Sequence, residues 1–527
     1  MKIKKLLTIA FVGLLMNSMF VSCTDDFLEY NTNERVLTEL DAASIGNLYA
    51  RVQYQGYYMG YHQTSQNLFA DHYCQYFANT QNAFPQDRYV LVGGWLNGAW
   101  RQFYGNIPNN LGEVLDLTDP VEFPERASMH AIAQITRVVM YERIANYWGP
   151  IPYFNVNNGE AAVPYDGEEE IYKSFFTTLD AAMAILESDR GGNAYGGNDQ
   201  IFGGNIDKWI KFGNTLRLRI AMRISNVEPT LAQTEANKAV AGGVMLTNDD
   251  DASLKTTSNS INGMNRYTPW NEFRMSAAME SVMVGYDDPR ISGFFTPNRE
   301  TYDEDYVDYI GPPLTWTGLR NGYEIVDLQG LPELNVNKLA AIGPRWFDVK
   351  LKDSNPRDIM QSAEAYFLRA EGALLTGWNM GGTPEELYNL GIEMSLGHWG
   401  ITDPAVILAY QQSTAVPVST HDAPNPVSDI PVRYNAADAL EQIATQKWLG
   451  LFPDGWEGWA DVRRRDLPKM YDRMASENAY VAANEMMRRV EFVSSEYETN
   501  ADAVADAITK LGGADNGDTR LWWNPVQ

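Results

Sequence analysis

The stretch ALEQIATQKWLGLFPDGWEGWADVRRR, at residues 439–465, decides the fold of this chain. Its first part belongs to a helix that the apolar spacing predicts from Ala436 to Leu449. Trp448, Trp456 and Trp459 are spaced to pack between helices, where large rings bury much apolar surface. We therefore interpret the stretch as part of a helical scaffold rather than as a ligand site.

Charged side chains close the same stretch. The basic run Arg463–Arg465 can pair with Glu457 and Asp461, which lie within two helical turns of it. This arrangement also favours a structural role.

Outward from this stretch, apolar residues recur at the spacing of one helical face over most of the chain. Pairs of helices joined by short turns suggest stacked, repeat-like packing, although no clean 34-residue period is present. The fold is therefore predicted to be mainly α, with a scaffold at about 41–245 and 357–465 and a C-terminal segment at 466–527. The predicted helices are Asp41–Tyr57, Glu125–Trp148, Glu168–Leu186, Asp207–Ser225, Pro229–Ala241, Asp358–Thr376 and Thr383–Trp399.

Between about residues 246 and 356 the helical pattern stops. Asn, Gly, Pro, Asp and aromatic residues are scattered without helical period, apart from a short helix expected near Met275–Met283. We interpret this region as a loop-rich insertion that forms an irregular face on the scaffold, and such loops often carry ligand contacts.

The N-terminus has the pattern of a secretory leader. Lys2, Lys4 and Lys5 precede an apolar run that ends at Ser22-Cys23, followed by acidic residues. Residues 1–22 are too short and wrongly flanked for a permanent membrane span, so they are predicted to be a signal peptide. The small residue before Cys23 is typical of a bacterial lipobox, which predicts lipidation of Cys23 and a tether over residues 23–40. We expect this lipid to anchor the body in the outer membrane, outside the cell.

Composition limits the remaining possibilities. The chain has 527 residues with 68 acidic against 41 basic side chains, a net charge of −27. Such a surface repels phosphates, so nucleic acid is excluded as a partner. If Cys23 carries lipid, Cys74 is the only other cysteine and the body has no disulfide.

Several segments, taken in order, resemble the SusD/RagB family of nutrient-binding outer-membrane lipoproteins. The strongest is QKW…LFP.G.E.W.D.RR, which begins at Gln446, and Ser362–Ala373 (SAEAYFLRAEGA) and Leu387–Trp399 (LYNLGIEMSLGHW) accompany it. Upstream, Trp100-x3-Tyr104-x2-Ile107-x2-Asn110, Tyr147-Trp148-Gly149-Pro150-Ile151-Pro152 and Asp288-Pro289-Arg290 also fit.

This resemblance implies a single SusD-like domain at 41–527, built on tetratricopeptide-like helix pairs. It also implies capture of an oligosaccharide at the cell surface and delivery to a SusC-type TonB-dependent barrel transporter. The RagB branch of the family leaves a peptide ligand as an alternative. A surface glycan hydrolase is an alternative of another class, which would need a pair of carboxylates roughly 5–10 Å apart.

Catalytic and metal signatures are missing from the sequence. There is no HExxH, GxSxG or P-loop motif, so we expect no enzyme activity and no cofactor. The five histidines are scattered, and Asp249–Asp251 lacks the spacing of a calcium loop and is interpreted as a solvated turn. No metal site is predicted.

A sugar or peptide site needs flat aromatic faces with polar groups beside them. Candidates of this kind lie in loops without helical period. Each aromatic ring there is as compatible with a role in packing as with ligand contact. Trp316 is the leading candidate, because the surrounding prolines and glycines of GPPLTWTGLRNGYE (311–324) indicate exposed turns. The predicted ligand-binding residues are Phe84, Arg88, Trp95, Arg274, Trp316, Arg320 and Tyr323.

Overall fold

Helices that follow one another along the chain pack side by side. The computed structural model describes residues 42–81, 83–160, 162–297, 315–331, 334, 338–347 and 354–525. Cys23 and the leader lie outside these residues. The α-helices are α1 Ala42–Gly56, α2 Gly93–Tyr104, α3 Ile107–Asp116, α4 Ala127–Trp148, α5 Glu168–Ser188, α6 Ile206–Arg223, α7 Pro229–Gly242, α8 Met264–Tyr267, α9 Ala277–Gly285, α10 Ile291–Phe294, α11 Ile325–Gln329, α12 Pro344–Phe347, α13 Ser362–Ala373, α14 Pro384–His398, α15 Pro404–Gln411, α16 Ala439–Leu451, α17 Gly455–Arg465, α18 Ser494–Thr499 and α19 Ala501–Leu511.

The most extensive helix contacts join sequential neighbours: α4 with α5, α6 with α7, and α13 with α14. Further contacts connect α13 to α6 and α16, and α16 to α17. A π-helix at Gln63–Asp71 packs against α17. The prediction of a mainly α fold built from helix pairs is confirmed.

Local sequence explains where several helices begin. At α14 the Thr383 hydroxyl accepts a hydrogen bond from the Glu386 amide at 3.2 Å, and the Glu386 carboxylate accepts one from the Thr383 amide at 2.9 Å. This reciprocal pair satisfies amides that the first helical turn leaves without partners. Thr383, the first residue of the predicted helix Thr383–Trp399, is therefore its N-cap.

One predicted helix start is wrong. The sequence pattern placed a helix from Asp358, but residues Arg357–Met360 form strand β6, and α13 begins at Ser362. This strand pairs antiparallel with β2, Ala252–Leu254, which is about a hundred residues earlier in the chain. Local periodicity cannot detect that pairing, because the hydrogen-bond partner is distant in sequence.

The predicted insertion contains more regular structure than expected. Strands β1 Phe77–Asn79, β3 Phe273–Met275, β4 Phe295–Thr296 and β5 Ala341–Ile342 form an antiparallel sheet in the order β1-β3-β5-β4. Each of these strands has only two or three residues, too few for an alternating pattern to be visible in the sequence. The sheet links a strand of the N-terminal scaffold to three strands of the insertion.

The three tryptophans of the 439–465 stretch are buried in the core. Each indole N–H donates to a backbone carbonyl: Trp448 to Cys74 at 2.9 Å, Trp456 to Arg143 at 2.7 Å, and Trp459 to Met487 at 2.9 Å. A ring that packs on one helix and hydrogen-bonds to another segment joins distant parts of the chain. The scaffold interpretation of these rings agrees with their placement.

The expected partners of the arginine run need correction. Arg464 pairs with Asp461 at 3.3 Å, as expected, but its main partner is Glu371 of α13. Glu457 instead pairs with Arg223 of α6. The Arg463 guanidinium lies 3.6 Å from the Trp459 ring centroid and donates to the Asn146 carbonyl. Tertiary packing thus brings these side chains to partners that cannot be identified from residue spacing in the sequence.

Candidate ligand-binding face

The first predicted loop, which carries Phe84 and Arg88, is organised by side chains that bond to the backbone. The Asn79 amide group donates to the carbonyls of Gln81 and Phe84, both at 2.6 Å. Asp87 accepts the Asn79 backbone N–H at 3.1 Å. Asn and Asp stabilise turns in this way, so the loop has a defined shape although it lacks helical period.

Phe84 and Trp95 meet at the beginning of strand β3. Their ring centroids are 5.9 Å apart, and the Phe84 ring lies 5.4 Å from that of Phe273. Both Phe84 and Trp95 are only partly buried, so part of each ring can contact a ligand. Trp95 was sought in a loop, but it lies in the first turn of α2, which begins at Gly93.

A third aromatic residue, missed in the sequence, precedes the same strand. Trp270 is 50% exposed and ends a short 3₁₀ turn three residues before Phe273. The neighbouring Glu272 carbonyl accepts both the backbone N–H of Thr80 at 3.0 Å and its hydroxyl at 2.8 Å. The turn that carries Trp270 is thereby attached to the loop that leads to Phe84.

We call Phe84, Trp95 and Trp270 the aromatic face. Two turn signals could have identified the ring of Trp270. Pro269 precedes it, and Asn271 follows it with a left-handed backbone at φ +63°. Exposed aromatic rings near one another are the kind of surface on which sugar rings stack.

Trp316 lies on a segment that extends the sheet. The Leu319 amide donates to the Met275 carbonyl at 2.9 Å, and the Ala340 amide donates to the Thr317 carbonyl at 2.8 Å. Trp316 is only partly buried, and within the described part of the chain no aromatic ring stacks on it. Its backbone is therefore held in place while its ring keeps free surface.

Gly318 allows this segment to lie close to β3. A Cβ atom at Gly318 would come within 2.4 Å of the Ser276 carbonyl oxygen, so only glycine fits. The Gly318 amide donates to the Glu280 carboxylate at 2.7 Å. Burial, helped by the nearby Asp422, raises the pKa of Glu280 to about 8, although the hydrogen bond from Gly318 lowers it.

Arg320 and Tyr323 follow on the same segment. The Arg320 amide donates to Asp422 at 3.0 Å, and its guanidinium donates to the Asp472 carbonyl at 2.7 Å and lies 6.0 Å from the Tyr471 ring centroid. Tyr323 is buried; burial and the nearby Asp422 raise its pKa to about 12. Tyr471 and Asp422 were not predicted, because they are far from Arg320 in sequence.

The other two predicted arginines support the fold around this site. Arg88 forms an ion pair with Glu477 and donates to the Tyr323 carbonyl at 3.3 Å. Arg274 is 2% exposed within the sheet and donates to the Phe273 carbonyl at 3.1 Å, and burial lowers its pKa to about 10. In this structure neither guanidinium lies at the surface, so the partly exposed aromatic rings offer the better ligand contacts.

Asp249–Asp251, expected to be a solvated turn, is partly buried instead. Asp250 caps its own turn, accepts the Leu246 amide at 3.0 Å and pairs with Lys211 at 2.7 Å. Asp251 accepts the Ser362 amide at 2.7 Å. These carboxylates complete the local structure, and the described residues contain no group of three side chains that could hold a metal ion.

Residues 29–524 match the family model SusD-like, described as Susd and RagB outer membrane lipoprotein. Curated proteins gave no match. In the described residues no helix has the length and apolar character needed to cross a membrane.

Solved structures resemble the chain over nearly its whole length. A chitin-binding SusD homologue from Flavobacterium johnsoniae is 32% identical with a TM-score of 0.81, and the match covers 92% of this chain and 99% of that one. A SusD-like protein from Bacteroides thetaiotaomicron is 31% identical, covering 92% and 99%, with a TM-score of 0.79. A SusD homologue from Bacteroides uniformis is 28% identical, covering 92% and 100%, with a TM-score of 0.80.

Proposed function

This chain belongs to the SusD-like family of outer-membrane lipoproteins, and from that premise we propose that it captures an oligosaccharide at the cell surface without cleaving it. The aromatic face carries the proposal. It comprises Phe84 and Trp95, whose ring centroids are 5.9 Å apart, and the 50% exposed Trp270 in the turn that precedes strand β3. Each sugar ring that stacks on such a side chain contributes on the order of 0.5–1.5 kcal/mol beyond the buried area.

The 315–323 segment supplies the rest of the proposed site. Trp316 adds a ring, and the backbone of the segment is fixed by β3 and by Asp422. A preorganised surface loses less conformational entropy when a flexible oligosaccharide binds. This arrangement is consistent with ligand capture by residues on short, hydrogen-bonded turns.

Chitin oligosaccharides are the first probes to test. One solved relative, 32% identical to this chain, is named as chitin-binding. The N-acetyl groups of such a ligand carry amides, and the apolar faces of its sugar rings suit the three rings of the aromatic face. We propose N-acetylated or plain glucose-type oligosaccharides as ligands and a SusC-type TonB-dependent barrel as the recipient of the captured glycan.

The decisive experiment is calorimetry of the soluble body, residues 24–527, with chitin oligosaccharides, other glycans and peptides. Trp95→Ala, Trp270→Ala and Trp316→Ala should each weaken glycan binding roughly three- to tenfold, because each removes one stacking ring. Tyr497→Ala is the matched control, since Tyr497 is an exposed aromatic residue on α18, outside the proposed site.

The same titration separates the alternatives. Saturable binding of peptides alone would replace the glycan proposal with a RagB-like peptide receptor. Release of shortened products would indicate a hydrolase. Unchanged glycan affinity in all three tryptophan variants would reject the aromatic face as the binding site.

A further inference from the structure

A separate cleft lies beside helix α3, outside the aromatic face. It has a volume of about 280 Å³, enough for a group of monosaccharide size, and lies between α3, α4 and residues 154–157. None of its lining residues belongs to the predicted ligand-binding set. We call it the α3 cleft.

Arg137 of α4 provides the positive charge of the α3 cleft. In a chain with 68 acidic and 41 basic residues, most buried arginines have a carboxylate partner. Arg137 is only partly buried, and among the described residues it forms no ion pair. Its guanidinium lies 4.3 Å from the Tyr153 ring centroid and donates to the Tyr153 carbonyl at 3.1 Å. The other N–H donors of this fixed, planar group remain available, and they suit a carboxylate.

Tyr141 adds a second polar group to the same cleft. Its side chain is 1% exposed and lines the cleft, and its hydroxyl has no hydrogen-bond partner in the described part of the chain. Phe103 and Tyr153 pack edge-on against its ring at 5.1 and 4.9 Å, which fixes the position of the hydroxyl. A buried donor held without a partner is unfavourable unless a ligand or water completes it.

The remaining walls are apolar or acidic. Leu111, Leu115 and the ring of Phe154, which is 48% exposed, offer apolar surface opposite the polar groups. Asp116 is exposed at the rim, where its charge repels a second negative group on a ligand. The cleft therefore combines the Arg137 guanidinium, the Tyr141 hydroxyl and an apolar wall. The negative charge of Asp116 at its rim disfavours dianions.

We propose that the α3 cleft is a second ligand site, which binds the carboxylate of a small organic monoanion through Arg137 and Tyr141 and its apolar part against Leu111 and Phe154. The site does not depend on glycan capture at the aromatic face. The carboxylate can come from a sugar acid or from an acylated amino acid, because both join one carboxylate to a compact body with an apolar surface.

The test titrates the soluble body with methyl β-glucuronide and with N-acetylphenylalanine, followed by calorimetry and saturation-transfer NMR. Methyl β-glucoside and N-acetylphenylalanine amide are the matched neutral probes. We expect at least one acid to bind at least tenfold more tightly than its neutral counterpart. The acid that binds identifies the source of the carboxylate.

Three substitutions locate the binding. Arg137→Gln should weaken acid binding at least tenfold, Tyr141→Phe should weaken it severalfold, and Asp116→Asn should tighten it. Tyr141→Phe keeps the ring and its packing, and near-ultraviolet circular dichroism checks the fold of each variant. Arg137→Gln should leave glycan binding unchanged, so failure at this site is distinguishable from failure at the aromatic face.

Equal binding of acids and their neutral counterparts would overturn the proposal. So would unchanged acid affinity in folded Arg137→Gln and Tyr141→Phe, or the absence of acid binding at millimolar concentrations.

Discussion

At the scale of single residues, His398 shows how burial and charge combine. Its imidazole nitrogens lie 2.9 Å from Asp251 and 3.3 Å from Asp358, and Arg345 lies 3.3 Å from the same Asp358 carboxylate. Burial lowers the pKa of His398, but the two carboxylates outweigh it and raise the pKa to about 9. Burial opposes ionisation of Asp358, yet Arg345 and His398 hold its pKa well below the usual range.

The shift of His398 predicts a pH-dependent stability. Because the folded-state pKa exceeds the unfolded value near 6.5, the stabilisation is complete below about pH 6.5 and disappears as the pH rises through about 9. His398→Gln should therefore lower the free energy of unfolding by on the order of 2 kcal/mol more at pH 6 than at pH 9.5. Urea denaturation of both proteins across this range measures the difference. A difference that does not change with pH would contradict the assignment.

At the scale of secondary structure, Glu371 joins three helices. From α13 it accepts hydrogen bonds from Lys447 of α16 at 3.0 Å and from both terminal nitrogens of Arg464 on α17. Burial opposes its ionisation, but Arg464 and Lys447 keep its pKa well below the usual range. Buried charges of this kind depend on their partners.

Removing that carboxylate should destabilise the scaffold strongly. Glu371→Gln removes one of the two carboxylates that Lys447 and Arg464 share, and Asp461 alone then faces two buried cations. Because a buried positive charge is left uncompensated, we expect a loss of about 3–5 kcal/mol in unfolding free energy. Glu169→Gln is the control, because Glu169 pairs with Lys173 at the surface, where a salt bridge contributes roughly 0–1 kcal/mol. Chemical denaturation compares the two variants. Similar losses in both would mean that Glu371 does not join the helices as described.

At the scale of the whole molecule, we expect attachment to the membrane to depend on the N-terminus. No described helix could cross a membrane, and the family is one of outer-membrane lipoproteins. The lipid on Cys23 is predicted from the sequence alone, since this residue lies outside the described part of the chain. Several acyl chains would hold a strongly acidic body stably at the surface, whereas a single chain binds only weakly.

Separation of membrane and soluble fractions tests the prediction that Cys23 carries lipid. Cys23→Ala should release the protein from outer membranes into the soluble fraction, because acylation requires the cysteine thiol. Cys74→Ala is the matched control, since Cys74 is buried and free. Fractionation with immunoblotting measures the distribution. Retention of Cys23→Ala in the membrane would contradict lipid anchoring at this residue.

Much of the molecule is determined by local sequence. Helices such as α5, α7 and α14 were predicted to within a few residues, because amphipathic spacing and caps such as Thr383 act within a single segment. The leader pattern around Cys23 and the family motif that begins at Gln446 are also local and were visible without coordinates.

Only the tertiary structure decided the rest. Strand β6 was predicted as helix. Glu371 binds Arg464 and Asp422 binds Arg320, and in each pair the two residues lie about a hundred residues apart along the chain. Exposure also depends on packing: Arg274 is buried, whereas Trp270, absent from the predicted set, is half-exposed. Periodicity records which face of one segment is apolar, but strand pairing, ion pairs and solvent access depend on which distant segments meet, and that is set by the path of the whole chain.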